Sequence, residues 1–182
     1  MNQHEAPLLV EVFLNGARIK GLCEAVGRRT RLAEVLNTPT DVLQLDSAVV
    51  TMAVGAPLHC PSLVIEKTAI IAAIPWETKE QDRQRVLTTT ISGRAQTTAT
   101  HVFVFSPPFV ISGTAHLATG FGTGIRELRP DPAVFSHFFS MTAARMMLPD
   151  GSTLEAPVIL VNRDSVSAMA RTAEPSTLRL VA

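Results

Sequence analysis

At 182 residues, with 46% hydrophobic and 18% charged side chains, the chain has enough apolar surface for a packed core and too little charge for disorder. Sixteen Lys and Arg balance sixteen Asp and Glu, so no net field draws a polyanion. Met1-Asn2-Gln3-His4-Glu5 lacks the basic start of a secretory leader, no apolar run is long enough to span a bilayer, and Cys23 and Cys60 have no paired spacing. A reduced, cytoplasmic protein with no membrane partner is expected.

Val10, Val12 and Leu14 alternate with Glu11 and Phe13, the pattern of a half-buried strand. Asn15-Gly16 then predicts a tight hairpin turn into a strand over Ala17–Leu22. In Thr30–Asn37, Leu32, Val35 and Leu36 share a helical face, with Thr30 as cap and Asn37 as terminator. Val42–Leu45 and Ala48–Val54 read as strands broken at Asp46-Ser47. Leu63–Ile65 and Ala69–Ile74 read as the last pair, stopped by Pro75. Residues 76–100 form a linker, a short helix or an extra strand.

The pattern then returns. Val10-Glu11-Val12-Phe13 and Ile19-Lys20-Gly21 recur 92 residues on, as Val102-Phe103-Val104-Phe105 and Ile111-Ser112-Gly113. Leu32-Ala33-Glu34-Val35 recurs 93 residues on as Ile125-Arg126-Glu127-Leu128, and Val64–Ile70 recurs 96 residues on as Leu160–Val166. Four blocks in one order argue against a chance likeness of two β-rich stretches. The expected fold is all-β with one short helix per repeat: small five-stranded β-barrels at 7–75 and 101–171, the connecting stretch 76–100 between them, and a tail at 172–182. The two repeats are expected to pack together through edge strands.

Val10-Glu11-Val12-Phe13-Leu14, Asn15-Gly16 and Ala17-Arg18-Ile19-Lys20-Gly21, with Val64–Pro75, resemble the Sm-like family, especially the bacterial host-factor RNA chaperone. The resemblance implies two tandem Sm-like five-stranded, strongly bent barrels. It also implies an RNA site at the closing block, where the chaperone carries Lys-His. Here those positions read Lys67-Thr68 and Arg163-Asp164, and the Arg-Gly of eukaryotic relatives is absent from both. The Arg31–Asn37 segment is an insertion relative to the family and looks like the signature of an uncharacterised bacterial domain of similar strand pattern.

Other candidate chemistry is weak. Thr119–Gly124 is rich in glycine, but it lacks the lysine of a phosphate-binding loop and has no glycine-rich counterpart in the first repeat. None of the five histidines has metal spacing to another histidine or to a cysteine, and His137 reads as a partly buried edge residue. Glu34 and Glu127 each stand alone. Met141, Met146 and Met147 suit a core or an apolar assembly surface. No catalytic residue, metal or cofactor is assigned. Candidate RNA- or ligand-binding residues are Lys67, Arg18, Lys20 and Arg163, with Arg18 and Lys20 on one strand face. The expected function is a non-enzymatic interaction or assembly module with a protein partner or self-association. Sm-like RNA binding is the alternative, and DNA is not expected.

Overall fold

The computed structural model describes residues 7–24, 31–76, 97–118 and 137–171. Asn15-Gly16 turns the chain back between β1 (Leu8–Leu14) and β2 (Ala17–Cys23). Gly16 sits at φ +83°, a conformation that L side chains resist and the hairpin turn requires. Leu32–Leu36 form α1, which buries Leu32 and Leu36 and ends at Asn37. Arg31 stands at its N-cap, and Thr30, the expected cap, lies outside the described residues.

β3 (Val42–Met52) and β4 (Leu58–Glu66) follow. The break expected at Asp46-Ser47 is a bulge in one continuous strand. Ser47 takes φ 51°, and the register to β2 shifts from Lys20↔Val49 to Leu22↔Asp46. Gly21 faces the bulge, where a Cβ would stand 3.1 Å from Leu45 Cβ and 3.3 Å from Ala48 Cα. β4 starts earlier than the expected Leu63. Pro61 reads as a breaker, but an edge strand has one side that owes no ladder bonds. A 3-10 turn at Lys67–Ala69 precedes β5 (Ala72–Trp76), so Ala69–Ile74 is not strand throughout. Pro75 lies within β5, opposite Val10.

The second half contains β6 (Thr97–Ser106), β7 (Phe109–Ala118), β8 (Phe138–Met147) and β9 (Thr153–Asn162). A 3-10 turn at Arg163–Ser165 leads to β10 (Ala168–Arg171). The expected connecting stretch 76–100 is therefore strand at both ends. Its remainder, with Thr119–Gly124, Ile125–Leu128 and the tail 172–182, lies outside the described residues. The pairings of the first half reappear in the second. Leu14↔Ala17 matches Ser106↔Phe109, Val42↔Glu66 matches Phe138↔Asn162, and Phe13↔Ala72 matches Phe105↔Ala168. β8 carries a bulge too, with Ala143 at φ 46° and Gly113 opposite.

The fold is mainly β, but its strands form one open antiparallel sheet in the order β10-β6-β7-β8-β9-β5-β1-β2-β3-β4. The expectation of two closed barrels is thus met only at the level of fold class. The halves join where β5 pairs with β9, Ala72↔Val161 and Ala73↔Leu160. At this joint successive residues enter different cores. Ile159 and Val161 enter the core of the second half, whereas Leu160 enters that of the first. Phe13 leaves its own half to pack edge-on against Phe109, centroids 5.8 Å apart. Among the described residues no helix is long and apolar enough to cross a membrane.

Candidate functional site

The candidate cations fall into separate environments. Arg18 and Lys20 are both exposed and alternate with buried Ile19, so they share a face of β2 as expected. That face is occupied by Glu11, a buried carboxylate that the sequence reading passed over. The Arg18 Nε–H donates to Glu11 Oε1, and Trp76 Nε1–H donates to Oε2 at 2.8 Å. The Lys20 ammonium stands 5.7 Å from the centroid of the Trp76 ring, and the Arg18 guanidinium 5.7 Å from that of Phe13. The signal for Glu11 was present in the hairpin. An Asn-Gly turn fixes the register, which sets Glu11 opposite Lys20 and diagonal to Arg18.

Lys67 is elsewhere, and it is buried. Its Nζ donates to Val35 O at 2.9 Å, Thr38 O at 3.2 Å, Thr38 Oγ1 at 2.8 Å and Thr40 Oγ1 at 3.1 Å. An ammonium has three protons, so these four oxygens saturate it. Burial pushes its pKa below the ordinary lysine range, and nearby Asp41 opposes that shift. Arg163, at the matching point after β9, lies over the Phe139 ring at 5.8 Å. Burial pushes its pKa below the usual arginine range, with Asp164 opposing.

A cavity of about 270 Å³ lies where the halves meet, lined by Thr38, Thr40, Lys67, His137, Asn162 and Asp164 among others. Buried Asn162 is among the residues lining it. Its Nδ2 donates to Ile70 O at 2.8 Å, and its Oδ1 accepts from the Asp164 amide at 3.0 Å. Asn37 bonds both ways to the Phe138 backbone, donating to its carbonyl at 3.1 Å and accepting from its amide at 2.9 Å. His137 is exposed rather than partly buried, and its Nδ1 is 3.4 Å from Asp164 Oδ2. Two of the hydroxyls lining the cavity, those of Thr38 and Thr40, accept from Lys67. Among the described residues His137 has no hydrogen bond to a hydroxyl or thiol.

The cysteines differ in access. Cys23 is buried, and burial pushes its thiol up to about 11, with Lys67 opposing. Cys60, on β4, is half-buried. A thiol-reagent titration at pH 8 is therefore expected to label Cys60 first and Cys23 only on unfolding. Equal labelling rates in the native protein would contradict the burial of Cys23. Comparison with protein-family models, with curated proteins and with solved structures finds no match to this chain.

Proposed function

We propose that the chain is a non-enzymatic interaction module, a duplicated five-stranded β unit whose free sheet edges accept a strand of another polypeptide. The observation that carries this reading is the end of the sheet. Among the described residues β4 and β10 each pair on one side only. An unpaired edge presents a row of amides and carbonyls that template a further strand. Duplication is supported by the strand pairings shared between the halves. The finer reading, two Sm-like barrels, is supported by five strands per half and by a bulge bending each half's third strand. A cytoplasmic location and the lack of a cofactor belong to the same reading.

Sm-like RNA binding asks for cations offered to phosphate. Arg18 is engaged by Glu11 and Lys67 by four oxygens, which favours a protein partner. The test uses the full chain and a fluorescent peptide of residues 153–162, the strand that fills the equivalent edge inside the molecule. Saturable binding that survives high salt, with none by a scrambled peptide, is the expected result. Absence of peptide binding would overturn the reading. Salt-sensitive binding of a uridine-rich oligonucleotide, weakened by Lys20→Ala, would replace it with the RNA reading.

A further inference from the structure

The geometry points to a second copy of this chain as the partner, docked head to tail, with β10 of one molecule pairing β4 of the next. This inference rests on the strand-addition reading above and names its occupant. The joint between β5 and β9 shows how such a pairing is built. β5 corresponds to β10 and β9 to β4, so among the described residues the sheet ends in the two halves of the same joint, left apart.

Exposure follows that logic. Val64 on β4 is 60% exposed, while Leu160, its counterpart on β9, is 2% exposed beneath β5. Phe105 is 39% exposed, while Phe13, its counterpart, is 1% exposed because Phe109 of the other half packs on it. Val42 is exposed where its counterpart Phe138 is buried at the joint. Leu160, Phe13 and Phe138, buried where the halves meet, thus have the apolar counterparts Val64, Phe105 and Val42 standing in solvent.

The contact beside the joint adds complementarity. Internally, Phe13, Arg18 and Thr51 line one side of a cavity of about 380 Å³, and Leu148, Pro149 and Asp150 line the other. Arg18 is close enough to Asp150 to help hold its carboxyl below the usual carboxylate range, behind the larger effect of the Ser152 hydrogen bonds. At the free ends both members of this pair change together. Arg18 corresponds to Val110, Thr51 to exposed Met147, and Asp150 to Val54, which is 85% exposed. The registers Phe105↔Val110 and Val110↔Met147 put Phe105, Val110 and Met147 in one cross-strand row. A cation facing an anion inside the chain becomes an apolar row facing an exposed valine between chains.

The register follows from the internal joint. Ala72↔Val161 and Ala73↔Leu160 translate into Ala168↔Ile65 and Met169↔Val64. The bond from the Asn162 amide to Ile71 O, 3.0 Å, becomes one from Glu66 to Ser167 of the next chain. The contact joins unlike surfaces, so it closes into a ring or continues as a filament.

The test mixes two single variants of the full chain, Val64→Cys and Met169→Cys, both carrying Cys60→Ala. Paired strand residues stand about 5.5 Å apart, within disulfide reach. Mild oxidation is expected to give a covalent dimer in the mixture and none with either variant alone. In sedimentation, wild type is expected to associate with rising concentration, and Val64→Lys to lose that association while keeping its circular dichroism. A monomeric wild type with no mixed disulfide overturns head-to-tail pairing, as does cross-linking within one variant alone. If the peptide of residues 153–162 still binds in that case, the strand-addition reading stands and only this inference falls.

Discussion

Phe13→Ala is expected to destabilise the protein by about 3–5 kcal/mol, the range for truncating a buried aromatic residue. Its counterpart change, Phe105→Ala, is expected to cost dilute monomer less than about 1 kcal/mol. The two residues hold matching positions in β1 and β6, so propensity and local sequence do not separate them. Their surroundings do. Phe13 is packed in the core of the second half and against Phe109, so its removal opens a cavity where the two halves interlock. Phe105 lies beside β10 with part of its ring in solvent. Urea unfolding of both variants at low protein concentration measures the difference. Equal losses would mean that the two halves have equivalent surroundings, which would remove the basis for calling one end of the sheet open.

The local elements were largely legible, and the long-range joint was not. Asn15-Gly16 has one economical geometry, so the first hairpin and its register followed from two residues. Asp46-Ser47 misled because a polar pair inside an apolar run looks like a turn. A bulge uses the same residue types to bend a strand without ending it, and Gly21 opposite was the clue. The pairing of β5 with β9 is set by Ala72-Ala73 and Leu160-Val161, far apart in sequence. Their one visible sign was loss of alternation: β5 and the Ala156–Val161 part of β9 are nearly continuous apolar runs, as strand segments buried on two faces must be. At the candidate site, the shared face of Arg18 and Lys20 followed from the two-residue period. The burial of Lys67 did not, because two of its four acceptors are backbone carbonyls, which no side-chain pattern records.

That burial gives Lys67 a role in stability that a solvated binding lysine would not have. Lys67→Met keeps most of the stem's volume and removes the ammonium. Val35 O lies in the last turn of α1, and Thr38 O in the loop beyond it. Each would lose a charged donor, and the hydroxyls of Thr38 and Thr40 would lose their shared partner. The expected loss is about 2–4 kcal/mol, since hydrogen bonds to a charged group are worth about 1.5–3 kcal/mol and the acceptors left behind are poorly solvated. Unfolding in urea measures it, and hydrogen exchange should show faster exchange at residues 31–41 first. A change under about 0.5 kcal/mol would return Lys67 to the surface class. The pH dependence has a fixed sign. The folded pKa is lowered by burial, so below the ordinary value of 10.5 the unfolded chain holds the proton more tightly. Stability from this group therefore rises as pH climbs from the lowered value toward 10.5, and the gap between wild type and Lys67→Met widens. Cys23 works in the opposite direction. Its raised folded pKa gives a contribution present below 9.0 and lost as pH rises toward about 11, so the comparison belongs in a Cys23→Ala background.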